Sequence, residues 1–158
     1  MSDFFEDLVI GTELDLGSHT FTEEEIISFA ERYDPQPFHL DNAAAALSHF
    51  GRLAASGWHT AAVWMKLYVA HRQATMAALL SRGETPSRPG PSPGFRRMKW
   101  KRPVHVGDTI RYASKLIGKR VTSTPEWGLI FHHNTGINQN GETVFEFDGS
   151  VFWQRRTV

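Results

Sequence analysis

The chain has 158 residues, of which 41% are apolar and 22% charged, a composition typical of a folded protein with its own core. Seventeen basic residues balance seventeen acidic ones, so the net charge of zero creates no overall field that would attract nucleic acid or an anionic membrane. The lack of cysteine excludes disulfides, thiol nucleophiles and cysteine-ligated zinc, and it suits a cytoplasmic protein.

Neither a signal peptide nor a membrane span is expected. The first seven residues are acidic and lack the basic-then-apolar order of a signal peptide. The most apolar stretch, residues 53–65, is well short of the ~20 residues that cross a bilayer.

Three helices are predicted in the first half of the chain. Thr22 and Glu25 form a capping box, in which each side chain can bond a free backbone N–H at a helix start, and the proline after Asp34 ends that helix. A short helix is predicted over residues 41–50. A long one is predicted over residues 56–82, and its first turns are apolar on nearly every side, which indicates a buried helix.

The second half of the chain is predicted to form strands. Residues 83–94 hold four prolines and three glycines, so we expect a loop there without helix or strand. Beyond it the apolar period changes to two, and Asn140-Gly141 indicates a tight hairpin turn. The predicted strands cover residues 95–103, 109–118, 127–139 and 143–155.

These elements predict an α+β fold in which a curved antiparallel sheet wraps one long apolar helix. Neither side of the proline-rich loop holds a complete core by itself. We therefore interpret residues 1–158 as one domain.

The segment between the first two predicted helices, Asp34-Pro35-Gln36-Pro37-Phe38-His39, is the most informative part of the chain. Its two prolines favour a stiff, non-regular turn that can hold Asp34 and His39 in a fixed geometry. A carboxylate and an imidazole that share one water form a competent acid–base pair. The residues alone also allow a turn capped by Asp34 beside a partly buried structural histidine.

That segment resembles the Asp-x-Asn-Pro-x-His signature of MaoC-like dehydratases and R-specific enoyl-CoA hydratases. The resemblance implies a hotdog fold, with Asp34 and His39 as the catalytic pair. Gln36 stands where the signature has Asn. It can bond within its own turn or reach the substrate, and we expect it to bind substrate.

A second segment, Ala55-Ser56-Gly57-Trp58-His59-Thr60, resembles the start of the central helix in the same family. The resemblance implies that the Gly57 N–H faces the thioester oxygen, and we assign Ser56 to substrate binding. A helix N-terminus has free N–H groups, and glycine permits close approach. The alternative is that Gly57 only relieves crowding at the helix start. His59 has no clear family role.

A third segment, Pro103-Val104-His105-Val106-Gly107-Asp108-Thr109, resembles the turn and following strand shared by hotdog dehydratases and thioesterases. It indicates the fold more than the activity.

A basic run before this segment suggests an anion site. Arg97, Lys99 and Lys101 would share one face of a regular strand. We assign Arg97 and Lys99 to the phosphates of coenzyme A, with a plain solvated strand face as the alternative. The chain has none of the common nucleic-acid motifs, so we do not expect nucleic acid there.

No metal site is expected. His132 and His133 are adjacent, so on a strand they face opposite sides and cannot bind one ion. The chain also lacks the His-Glu-x-x-His pattern of zinc hydrolases.

The resemblance implies reversible syn hydration of a trans-2-enoyl-CoA to an R-3-hydroxyacyl-CoA, without a cofactor other than the coenzyme A of the substrate. It also implies a homodimer, because a single hotdog leaves an apolar sheet edge and an incomplete substrate tunnel. The alternatives are a hotdog acyl-CoA thioesterase and a non-catalytic acyl-CoA-binding protein.

Overall fold

A computed structural model describes residues 3–156 of the chain. Its elements are a short 3-10 helix at Phe5–Asp7, the helices α1 (Glu23–Tyr33), α2 (Pro37–Leu40), α3 (Asn42–Ala46) and α4 (Gly57–Ser81), and the strands β1 (Glu13–Thr20), β2 (Gly94–Trp100), β3 (Thr109–Val121), β4 (Trp127–Ile137) and β5 (Thr143–Gln154).

The five strands form one curved antiparallel sheet in the order β1-β3-β4-β5-β2, with α4 packed against it. This is the predicted α+β arrangement of a sheet around a long helix. The buried Tyr112 of β3 ties the two layers together, because its hydroxyl donates to the Thr60 carbonyl of α4 at 3.0 Å. The core also takes in Val63 and Trp64 from α4 and Phe145 and Phe147 from β5.

The predicted helix start at Thr22 is confirmed, since its hydroxyl accepts from the Glu25 N–H at 3.3 Å. The prediction of a helix over residues 41–50 was too long, because α3 ends at Ala46. Beyond it the Ser48 hydroxyl bonds to the Ala45 carbonyl, and such local bonds compete with helix continuation. The expected non-regular turn is instead the one-turn helix α2, whose first residue, Pro37, has the backbone angle that a helix start requires.

The long helix α4 was predicted almost to the residue, but its burial was overestimated. Val63 and Trp64 face the sheet and are buried, whereas Trp58, Met65 and Val69 are between 43% and 52% exposed. A single sheet covers only one side of a helix, so the apolar residues on the other side stay open in one copy of the chain.

The strand β1 was not predicted, because a bulge interrupts its alternation. Leu14 and Leu16 follow a period of two, and the pairing with β3 then shifts at Gly17, whose φ is +94°. A bulge of this kind inserts one extra residue into a strand and breaks the pattern on which prediction depends.

The proline-rich loop has no regular structure, as predicted, yet it lies against the sheet. The Gly90 N–H donates to the Phe152 carbonyl at 2.8 Å, and the Phe152 N–H donates to the Pro91 carbonyl at 3.1 Å. The loop thereby continues the sheet edge beside β5. Within residues 3–156, no helix combines the length and the hydrophobicity that crossing a membrane requires.

Candidate active site

Asp34 and His39 lie together, although they belong to different elements. Asp34 is the C-cap of α1, and its N–H donates to the Ala30 carbonyl at 2.9 Å. His39 is the third residue of α2 and is 5% exposed. Because the turn between the two helices is only three residues long, it brings the His39 Nε2 to 3.4 Å from the Asp34 Oδ2.

The bond at the other ring nitrogen fixes the tautomer of His39. Its Nδ1 lies 2.6 Å from the Ala54 carbonyl oxygen, which can only accept a hydrogen bond. The Nδ1 therefore carries the hydrogen, and in the neutral ring the Nε2 is an acceptor facing Asp34. Two acceptors at this separation can share one water, which donates one hydrogen to each.

Two neighbours hold the Asp34 carboxylate in its charged form. The Ser56 hydroxyl donates to Oδ2 at 2.6 Å, and the Gln36 amide donates to Oδ1 at 2.7 Å. Partial burial by itself would raise the pKa of Asp34. The bonds from Ser56 and Gln36 outweigh burial and hold that pKa below its ordinary value. An ionised Asp34 is suited to the role of base.

Ser56 is placed differently from the expectation that it binds substrate. It is fully buried, and its hydroxyl donates to Asp34 and accepts from the Trp58 N–H at 3.2 Å. This arrangement favours a role in positioning Asp34 over a direct contact with substrate.

Gln36 also bonds within its own turn. Its side chain lines the cleft beside Asp34, but its amide turns back to the Asp34 carboxylate and does not reach a neighbouring loop. The extra methylene of glutamine, compared with asparagine, lets this amide reach the carboxylate of Asp34, two residues earlier in the chain.

We expect Gln36→Asn to lower the hydration rate by about three- to tenfold, because the shorter amide cannot span the same distance and one hydrogen bond to a charged group weakens. The ranking of enoyl-CoA substrates should stay as in the wild type. The check is kcat/KM over a panel of short, branched and dicarboxylic enoyl-CoAs. A reordered ranking would show that Gln36 contacts the acyl group after all.

Gly57 is the first residue of α4, so its N–H has no acceptor inside the helix and lies at the positive end of the helix dipole. The indole of Trp100 covers its Cα, and a Cβ at this position would lie 2.6 Å from the Trp100 ring. The Trp100 Nε1–H also donates to the Gly57 carbonyl at 2.8 Å. Crowding by Trp100 therefore explains the glycine, and the N–H remains available to an oxyanion.

One cleft of about 540 Å³ joins these groups. Besides Asp34, His39 and Gly57, it is lined by aromatic and basic residues that include Phe38, His49, Phe50, Trp58, Trp100, Lys101 and Arg102. No local sequence pattern distinguished these residues as a group, since they come from four separate segments.

The assignment of Arg97 and Lys99 to the coenzyme A phosphates finds no support in the cleft, which neither residue lines. The pairing of β2 shifts between Arg96 and Lys99, and Arg97 has a φ of +53°, so the expected alternation along one face is broken. Arg97 instead donates to Asp148 at 2.7 Å, next to a different cavity. Lys101 and Arg102 are the basic residues of this run that reach the cleft.

His59 lies outside the cleft and packs in the core. Its ring stacks on Phe29 with centroids 4.6 Å apart, and it does not line the cavity that contains Asp34. Burial lowers the pKa of His59 to about 4, against the opposing effect of Glu25 at 3.9 Å. Its role is that of a neutral core residue.

In the part of the chain that the structure describes, no group of three or more His, Asp or Glu side chains could hold a metal ion. His132 is buried, whereas the adjacent His133 bonds to Asp148 at 2.7 Å on the other face, as their positions on one strand predict.

Comparison with known proteins connects this geometry to one family. The family model of the MaoC-like domain matches residues 7–126. The solved structure of a MaoC-like dehydratase from Rhodospirillum rubrum is 32% identical and has a TM-score of 0.81, and the match covers 99% of this chain and 100% of that one.

Two further relatives are either more distant in sequence or similar over a shorter segment. An R-hydratase from Pseudomonas aeruginosa is 18% identical with a TM-score of 0.68, over 97% of this chain and 86% of that chain, which shows a shared fold. Mesaconyl-CoA hydratase of Cereibacter sphaeroides is 33% identical over 63 residues, which are 40% of this chain and 18% of that protein. The match thus spans less than a fifth of this curated relative.

Proposed function

Because the chain belongs to the MaoC-like domain family, we propose that it is a hydro-lyase that reversibly adds water to a trans-2-enoyl-CoA thioester and forms the R-3-hydroxyacyl-CoA. The observation that carries the proposal is the pair of acceptors, the Asp34 Oδ2 and the His39 Nε2, 3.4 Å apart in one cleft. The relatives whose names specify a hydratase support the same reaction class.

In the proposed reaction, one water donates a hydrogen bond to Asp34 and another to His39. Its oxygen bonds to C3 of the substrate while Asp34 takes one of its protons. The electrons of the C2–C3 double bond move toward the thioester oxygen, where the Gly57 N–H stabilises the developing charge by ~3 kcal/mol. The pair then returns a proton to C2, so that the net change is the addition of one water.

The proposed reaction needs no metal or redox cofactor. Coenzyme A enters as part of the substrate, and Lys101 and Arg102 are our candidates for contacts with its phosphates. Both are partly exposed at the cleft and already paired, Lys101 with Glu146 at 3.0 Å and Arg102 with Glu142 at 3.1 Å. Arg and Lys side chains in such pairs can turn to phosphate when substrate arrives.

The test is loss of the enoyl absorbance of crotonyl-CoA on addition of the protein, with chiral analysis of the product. A panel of branched and dicarboxylic substrates, including mesaconyl-CoA, defines the acyl group. Release of free thiol without loss of the enoyl group would identify a thioesterase instead. Binding with neither reaction would identify a non-catalytic acyl-CoA-binding protein.

We also propose that the chain forms a homodimer. β2 is an edge strand with Phe95 55% exposed, and the adjoining side of α4 exposes Met65 and Val69. An edge strand next to an apolar surface is suited to pairing with a second copy.

Light scattering at micromolar concentration should give about twice the chain mass of 17.9 kDa. Val69→Glu should shift the protein toward monomer, because it places a charge in the proposed interface. Val121→Glu, a matched change at another exposed position, should leave the dimer intact. A wild-type protein that is monomeric and fully active would contradict the proposal.

A further inference from the structure

A second cavity lies beside the catalytic cleft. Its volume is about 480 Å³, and its lining is almost entirely apolar. The side chains of Met65, Tyr68 and Val69 from α4 form one wall, and Met98 of β2 and Phe147 of β5 form the other. Met65 and Val69 also border the proposed dimer face, so a second copy would close the open side of this cavity and leave the inner part, between α4 and the sheet, to a ligand.

The two cavities follow one groove between α4 and β2. Gly57 lines the cleft, and Ala61, one turn later on α4, lines the apolar cavity. On β2, Trp100 lines the cleft and Met98 lines the apolar cavity. One helical turn advances about 6 Å over four residues, so the two cavities are immediate neighbours.

Trp100 stands at the boundary between them. Its Nε1–H is bonded to the Gly57 carbonyl at 2.8 Å, and its ring lies against the Gly57 Cα. Trp58 meets it edge to face, with ring centroids 5.1 Å apart. The indole is therefore held at both ends across the groove, from β2 to the first turn of α4.

We propose that Trp100 determines acyl-chain length by separating the catalytic cleft from the apolar cavity. This inference rests on the proposed function for the chemical class of its substrate, an acyl-CoA. With Trp100 in place, the cleft admits a short acyl chain. Without it, a longer chain passes along α4 into the apolar cavity and gains affinity from burial of its methylenes.

The test measures dissociation constants for butyryl-CoA, octanoyl-CoA and dodecanoyl-CoA by calorimetry. The wild type and Trp100→Phe, which keeps a ring at the boundary, should bind butyryl-CoA best. In Trp100→Ala, the affinity for octanoyl-CoA relative to butyryl-CoA should rise at least about tenfold, since each buried methylene contributes roughly fourfold. Met65→Phe added to Trp100→Ala should cancel this gain, because it fills the apolar cavity.

Several results would overturn the inference. One is wild-type affinity that rises steadily with chain length. Another is a Trp100→Ala protein whose affinities fall equally for all chains, as a purely structural tryptophan predicts. A gain that persists when Met65→Phe fills the cavity would place the added chain elsewhere. Should Trp100→Ala not fold, Trp100→Leu takes its place, because it also removes the ring from the boundary and should show the same gain for octanoyl-CoA.

Saturated acyl-CoAs cannot be hydrated, so the binding result does not depend on catalysis. If the predicted shift occurs and no enoyl-CoA is hydrated, the proposed function is wrong and the role of Trp100 stands. If enoyl-CoAs are hydrated and the shift is absent, the proposed function stands and the proposed role of Trp100 is wrong. If no acyl-CoA binds to any variant, the inference is wrong.

Discussion

Asp34→Asn and His39→Gln should each lower kcat for enoyl-CoA hydration by at least about 10²-fold, since one acid or base group typically contributes 10²–10⁴-fold. Asparagine keeps the shape of aspartate and can still accept from Ser56, but it cannot take a proton from water. Glutamine at position 39 removes the Nε2 lone pair that faces Asp34 at 3.4 Å. Loss of crotonyl-CoA absorbance measures the rate, and thermal unfolding shows whether the variants remain folded.

Matched control variants distinguish this loss of hydration activity from a general effect of the substitutions on the fold. Asp41→Asn makes the same change at a nearby carboxylate, which caps α3 by accepting from the Ala44 N–H at 2.8 Å and which asparagine can replace as a cap. His133→Gln makes the same change at a histidine on the sheet, away from the cleft. Both should keep the wild-type rate within about threefold. Hydration near the wild-type rate by folded Asp34→Asn or His39→Gln would reject the mechanism.

The sequence predicted the elements whose patterns are local. The N-cap at Thr22 and the apolar content of α4 depend on residues within a few turns of one another, and both helices start where expected. Only the Thr22 half of the predicted capping box forms, because the Glu25 carboxylate bonds to His19 instead. The fold class followed from the order of the elements. The strands were predicted less well where the backbone departs from a period of two, at the bulge of Gly17 in β1 and at Arg97 in β2.

The candidate site was likewise predicted only where its residues lie close together in the sequence. Asp34 and His39 are five positions apart, so a stiff turn could hold them in a fixed geometry, and the resemblance to the family signature predicted that they act as a pair. Ser56 is 22 positions from Asp34, and Trp100 is 43 positions from Gly57. Which segments meet across such distances depends on packing of the whole domain. Local patterns therefore could not show that Ser56 turns toward Asp34 or that Trp100 covers the helix start.

The bond from Ser56 gives the second large expected effect. Ser56→Ala should lower kcat/KM for hydration by about ten- to a hundredfold, because a hydrogen bond to a charged group contributes roughly 1.5–3 kcal/mol. It should also move the acid limb of the pH profile upward. The donor stabilises the ionised carboxylate and so lowers the pKa of Asp34, and its removal raises that pKa. A base with a raised pKa becomes protonated, and inactive, at a higher pH.

The shift in the pH profile distinguishes positioning of Asp34 from a merely structural role. Ser56 also accepts from the Trp58 N–H at the start of α4, so its loss should destabilise the fold by about 1 kcal/mol, as thermal unfolding will show. A loss of stability alone would leave the acid limb of the pH profile unchanged. Ser48→Ala removes a hydroxyl that bonds to the Ala45 carbonyl and not to Asp34, and its profile should match the wild type. An acid limb that does not move in folded Ser56→Ala would mean that Ser56 supports the helix and does not tune the base.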